Sequence, residues 1–306
     1  MHIDPLVAGA ALIVGFIVGL TGMGGGALMT PILVLLFKVQ PLAAVSSDLV
    51  ASMIMKPFGS AVHLRRGTVH FGLVRWLMVG SVPAAFAGVF IIKLLGQGPE
   101  VDGRLKLVLG VALLLAAAAI VAKGLLQARS RRRGASAGGE EIKVNRVATV
   151  AVGAIGGLLV GMTSVGSGSL IVAMLLLLYP TFSSSRLVGT DLVQAVPLVT
   201  AAAAGHILFG DFRMELTVSL LIGSIPGVLA GAALSSRAPD RVIRPALFLV
   251  LAASALKLLN VGNLELVGIL VSLTAAGGVT WAILHRFDPT SEVAAPALEP
   301  VSERTA

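Results

Sequence analysis

GFIVGLTGMGGGALMTP (Gly15–Pro31) and GLLVGMTSVGSGSLIVA (Gly157–Ala173) are one apolar segment written twice. Each copy is broken in its middle by glycines and hydroxyl residues, TGMGGG (Thr21–Gly26) in the first and TSVGSGS (Thr163–Ser169) in the second. The echo continues downstream. SSDL (Ser46–Leu49) answers GTDL (Gly189–Leu192), AVHLRRG answers AGHILFG, and SVPAAFAG answers SIPGVLAG, at an offset of 142–143 residues. A duplicated apolar segment with a polar break at mid-span marks a transporter assembled from two halves.

The chain is 56% hydrophobic and 12% charged, with a mean hydropathy of +0.96. Soluble domains hold roughly 45–50% apolar and about 25% charged residues. The apolar excess lies in long blocks at 6–37, 46–62, 72–95, 105–126, 147–179, 188–207, 215–234, 242–259 and 263–284. Spanning a bilayer takes about 20 apolar residues per helix, so an all-α polytopic membrane protein is expected. A transmembrane barrel shows short alternating segments instead. The net charge of +8 reads as Lys- and Arg-rich cytoplasmic loops. No basic-aromatic surface accompanies it, so nucleic acid is not an expected partner. The chain has no cysteine, which removes disulfides, thiolate metal sites and cysteine nucleophiles. MHIDPLV lacks a basic region before its apolar run, so a retained first helix is expected rather than a cleaved signal peptide.

These blocks predict a first transmembrane repeat over 5–126, a basic cytoplasmic linker over 127–146 and a second repeat over 147–260. An additional helix over 263–284 and a disordered tail over 285–306 follow. Block 6–37, drawn as one helix, would run roughly 48 Å against a hydrocarbon core of about 30 Å. It must tilt, protrude or break, and the glycines permit a break. Loop charge separates two topologies. If each first block is a full pass, then Arg186, Arg237, Arg241 and Arg244 fall outside. If each is a re-entrant hairpin with the N-terminus outside, these four join Arg65, Arg66, Arg75, Arg146 and the linker cations inside. Only Lys38, Lys93, Arg104, Lys106, Arg213 and Lys257 then stay out. The hairpin arrangement obeys the positive-inside rule better. It makes the halves inverted repeats; four-plus-four parallel halves are the rival.

The breaks are candidate anion sites, because a helix resuming after a gap aims N–H groups and a positive dipole end into it. Thr21, Thr163, Ser164, Ser167 and Ser169 add hydroxyl donors. Close helix packing is the plainer reading, and Gly15-x-x-x-Gly19 and Gly157-x-x-x-Gly161 suit it. Gly22–Ala27 fits a nucleotide fingerprint by letter, but no strand precedes it. Lys56 is the lysine deep inside an apolar block, eight residues after Asp48. A buried cation there draws an anion or pairs with Asp48. Asp48 and Asp191 read as N-caps of their helices or as proton carriers. His63 and His206 read as interfacial anchors or proton relays. No compact metal-ligand set is expected, and no cofactor.

These residues resemble the TauE/SafE family of sulfite exporters and their relatives. The resemblance rests on the glycine opening at Gly15–Gly26 and its echo at Gly157–Gly168. It rests also on the small hydroxyl residues Ser47 and Thr190, and on the His-x-x-x-Gly ends at His63–Gly67 and His206–Gly210. It covers roughly 6–260 and implies transport of small sulfur oxyanions or organosulfonates across the cytoplasmic membrane. The expected substrate contacts are Thr21, Gly22, Gly24, Gly25, Gly26, Thr163, Ser164, Gly166, Ser167, Gly168, Ser47, Thr190 and Lys56. Asp48, Asp191, His63 and His206 are the candidates for proton coupling. The expected partners are a small anion and the lipid bilayer. A carboxylate transporter, an anion channel and an intramembrane enzyme are the alternatives.

Overall fold

A computed structural model describes residues 3–21, 25–94, 96, 98–132, 144–180, 182, 184–234 and 240–286. Among these residues the regular structure is α-helical throughout. The first half gives α1 (Pro5–Thr21), α2 (Gly26–Leu35), α3 (Pro41–Arg65), α4 (Phe71–Leu94) and α5 (Pro99–Arg132). The second gives α6 (Arg146–Thr163), α7 (Leu170–Leu178), α8 (Ser184–Phe209), α9 (Met214–Leu234) and α10 (Asp240–Leu258). Residues 263–306 form a separate unit, described from Asn263 to Arg286 as the helix α11.

Both long apolar blocks stop at their glycine runs: α1 ends at Thr21 and α6 at Thr163. α4, α6, α8, α9 and residues Glu100–Leu126 of α5 are each long and apolar enough to cross a membrane. Their outward faces carry Phe86, Phe90, Leu107, Leu115 and Leu229, exposed as lipid contact requires. The protein is polytopic and helical.

Glycine sets how the helices meet. Along α1 and α9, a methyl group on Gly19 would strike the Val228 carbonyl and one on Gly227 the Leu12 carbonyl. Along α4 and α6, Gly157 lies on the Ser81 carbonyl and Gly161 on that of Ala85. Residue numbers rise together in both pairs, so each pair runs in parallel. Small residues let these backbones approach, and each half lends its first helix to the other. α3 and α8 run antiparallel: Ser46 meets His206 at 2.8 Å, and Ser60 donates to the Leu192 carbonyl at 2.7 Å. Each first block also turns back on itself. Ile3, Asp4, Pro5 and Val7 at the start of the block and Phe37 and Val39 beyond α2 line one depression with Arg213–Leu216. In the second half Tyr179 Oη, at the end of α7, accepts the N–H of Asn145 at the start of α6, 3.0 Å away.

Three sequence expectations need correction. Asp48 and Asp191 are not N-caps of their helices. α3 starts at Pro41 and α8 at Ser184, which puts both carboxylates two turns inside; proline is at home in a first turn, and the apolar run alone hid this earlier start. The linker is partly helical, because α5 continues to Arg132; residues 133–143 lie outside the described set. α11 reaches Arg286, past the expected start of the tail at 285; residues 287–306 lie outside the described set.

Candidate functional site

The second break is a backbone feature first. Ser164 closes α6 in the left-handed region, φ 59°, with its N–H on the Val160 carbonyl at 2.8 Å. Gly166 and Gly168 follow with φ of 129° and 91°. Such values are strained for residues with a Cβ, which explains the alternation Ser-Val-Gly-Ser-Gly. Two carboxylates hold this segment. Ser164 Oγ donates to Asp48 Oδ2 on α3 at 2.6 Å, joined there by Thr30 Oγ1 of α2 at 3.2 Å. Four residues on, the Gly168 N–H donates to Asp191 Oδ2 on α8 at 2.6 Å. Gln194 Nε2, one turn along α8, donates to Asp191 Oδ1 at 2.9 Å, and Ser81 Oγ of α4 donates to Gln194 Oε1 at 3.0 Å.

Lys56 enters between the two carboxylates: its Nζ donates to Ser167 Oγ. A contact pair with Asp48 does not form. Eight residues of helix separate the two by roughly 12 Å, and among the described residues the ion pair within contact distance is Arg213–Asp211, at the surface. The first break meets the second directly, since a Cβ on Gly26 would collide with the Ser164 carbonyl. Gly25, Gly26, Ser164, Gly166, Ser167, Gly168, Lys56, Asp48 and Asp191 therefore gather in one place. Gly22 and Gly24 lie outside the described residues.

Other candidates go elsewhere. Thr21 Oγ1 donates back to the Ile17 carbonyl at 2.8 Å, and Thr163 Oγ1 donates to that of Leu159 at 2.6 Å while accepting the Val165 N–H of the break at 3.1 Å. Such back-bonding closes the helix ends from within. Ser47 Oγ accepts the Arg213 N–H at 3.3 Å and Thr190 Oγ1 accepts that of His70 at 3.0 Å, so both pin the loop that follows the opposite half's antiparallel helix. His206 is fully buried and is no interfacial anchor: Nδ1 meets Ser46 Oγ and Nε2 the Gly161 carbonyl, each at 2.8 Å. A membrane-interface anchor keeps its polar end in water; this imidazole instead ties α8 to α3 and α6. His63 is partly exposed and pairs with Thr68 at 3.0 Å. Ser169 Oγ and Ser224 Oγ are buried without a hydrogen-bond partner. No set of three or more metal-ligating residues converges among the described residues.

Residues 7–258 match the family model "Sulfite exporter TauE/SafE". The chain belongs to the TauE/SafE family. Within curated sequences it is 39% identical over 249 residues to "Probable membrane transporter protein YjnA" of Bacillus subtilis, covering 81% of this chain and 96% of that one. It is 27% identical over 253 residues to "Probable membrane transporter protein YdhB" of the same organism, with the same coverage. No solved structure matches. This TauE/SafE protein is therefore a multi-pass membrane protein of a transporter family.

Thr30 and Gln194 do not stand out from the sequence, and Ser81 and Ser224 do so only as members of the repeated SVP and SIP motifs that read as packing and kink sites. Gln194 carries a signal in hindsight, as an amide inside an apolar block two residues after GTDL. Thr30 and the serines read as ordinary small residues of membrane helices until their partners are known.

Proposed function

We propose that the chain is a secondary transporter of a small anion, a sulfur oxyanion or organosulfonate, bound where the two breaks meet. The observation that carries this reading is Lys56: a cation of the first half whose ammonium reaches Ser167 inside the break of the second. An ionisable group in a membrane interior is costly and marks a pathway. The anion's contacts fall to Lys56, Ser167 and Ser169, whose hydroxyl has no protein partner. The N–H of Gly168 is already taken by Asp191, so the start of α7 offers the ligand less than the glycine pattern suggested.

In the same reading the halves, 5–126 and 147–260, are inverted repeats, and the chain sits in the cytoplasmic membrane. Three observations support this: α3 and α8 are antiparallel, each broken block returns to its starting end, and arginines cluster at one end. There Arg75 and Arg146 both stack on Trp76, at 5.9 and 5.2 Å, and Arg186 stacks on Phe182 at 5.6 Å. By the positive-inside rule that end is cytoplasmic. Purified protein screened against sulfite, sulfate, thiosulfate, sulfonates and carboxylates should be thermally stabilised by its substrate. Lys56→Met should abolish that stabilisation while still reaching the membrane. Stabilisation that persists in Lys56→Met removes Lys56 from the site, and an absence of stabilisation by every anion rejects the anion reading.

A further inference from the structure

The two halves differ at one position in a way that leaves a hole. In the second half Ser81, Gln194 and Asp191 form an unbroken polar chain. At an offset of 143 residues the same places in the other half are Ser224, Ala51 and Asp48. Alanine supplies no amide, and a small cavity lies there instead. Asp48, Ala51, Ser224, Gly25, Met29 and Met55 are among its walls, and it has room for roughly one water-sized occupant. Ser224 is 2% exposed and its hydroxyl has no partner. Both donors at Asp48 reach Oδ2; none reaches Oδ1 among the described residues. Ser224, whose hydroxyl has no partner, and Asp48, with one carboxylate oxygen unpartnered among the described residues, thus line one cavity, where the other half places an amide between the equivalent groups.

We propose that this cavity binds one monovalent cation, Na⁺ or a proton taken up by Asp48, and that it is the coupling-ion site of the transport cycle. The inference rests on the transporter reading above. The remaining walls are apolar, Val14, Val18 and Leu220 among them. A water would hydrogen-bond there without adding charge beside a carboxylate whose nearby cation, Lys56, also serves Asp191, whereas a bound cation balances the pair. Asp48 is the ionisable residue lining the cavity. The others packed nearby are Lys56 on its own helix and Asp191 and His206 on α8, the latter two held by Gly168, Gln194, Ser46 and Gly161. In the second half the Gln194 amide is a fixed substitute, so exchange is confined to the first. Coupling follows from connectivity: Asp48 also grips Ser164, in the same break whose Ser167 meets Lys56. Loading the cavity therefore bears on the segment that holds the anion.

The test is thermal unfolding of the purified full chain in NaCl against choline chloride at equal ionic strength, and across acid to neutral pH without Na⁺. The wild type should be stabilised by Na⁺ in the first series or by acid in the second, and this identifies the ion. Ala51→Gln, which restores the amide, should abolish the dependence. Ser224→Ala should raise the half-saturating concentration roughly tenfold. Should Ala51→Gln fail to fold, Asp48→Asn gives the same reading, because loss of the dependence supports the site and its retention overturns it. A wild type indifferent to both ions, or a dependence that survives Ala51→Gln, overturns the proposal. Anion stabilisation without any cation effect rejects this inference alone; a cation effect without anion stabilisation rejects only the anion reading.

Discussion

Gly26→Ala adds one methyl group where the two breaks touch. Its Cβ would collide with the Ser164 carbonyl oxygen and hydroxyl, and even the carbonyl carbon, 2.7 Å away, lies inside the 3.4 Å at which ordinary contact begins. Backbone cannot rotate away as a side chain can, so the two hairpins must part by at least about 0.7 Å, the shift the carbonyl carbon alone demands. Ser164 Oγ is 2.6 Å from Asp48 Oδ2, and the same displacement takes that bond past the useful range of about 3.0 Å for O–H···O. Overpacking costs about 1–3 kcal/mol, and weakening a hydrogen bond to a charged group adds part of another 1.5–3 or so. A loss of about 2–4 kcal/mol is expected. Gly59→Ala is the control. Nothing lies within 4 Å of its added Cβ, and alanine in a helix interior gains up to about 1 kcal/mol over glycine. The two variants should therefore shift the unfolding midpoint in detergent in opposite directions, and only Gly26→Ala should impair anion flux in liposomes. A Gly26→Ala protein that unfolds at the wild-type midpoint would show that the breaks are not in contact.

The chain lacks cysteine, so single substitutions report topology cleanly. Lys38→Cys and Asp211→Cys should react with an impermeant thiol reagent from one side of the membrane and Arg66→Cys from the other; labelling of all three from one side contradicts the hairpin arrangement. Gln194→Ala strips Asp191 and Ser81 of a shared partner and should destabilise by about 1–3 kcal/mol, read in the same melts; an unchanged midpoint would mean the polar chain carries no weight. His206→Phe should lower stability by a similar amount, because it orphans Ser46 and the Gly161 carbonyl. If His206 instead relays protons, the variant would keep its stability and lose only the pH dependence of flux.

The glycine breaks, the apolar helices and the close-packed glycine faces were legible because each rests on local pattern. A glycine run stops a helix wherever it occurs, and Gly157-x-x-x-Gly161 marks a close-packed face whatever its neighbour. The site was legible only as a list of its members. SSDL and GTDL look like helix starts, yet Pro41 and Ser184 begin those helices two turns earlier, and the carboxylates end up gripping a break in the chain instead. Lys56 stood out as a buried cation, with either an anion or Asp48 as its expected partner. Its partner Ser167 is 111 residues away, and no spacing along one helix encodes a contact made across two halves. His206 misled for the same reason, since its two partners come from α3 and α6.

The exchange of first helices between the halves also sets a timetable for making the protein. The glycine face of α1 is closed by α9, whose first residue is Met214. At synthesis rates of about 5–20 residues per second, α1 must wait roughly 10–40 s for its partner to leave the ribosome. Throughout that interval Gly15 and Gly19 present bare backbone to lipid or to whatever assists insertion. α6, by contrast, emerges when α4 is already in place. The first half is thus born incomplete while the second docks onto a finished surface. A chain stopped short of α9 would leave its opening helix unclasped, the form a membrane quality-control protease is best placed to find.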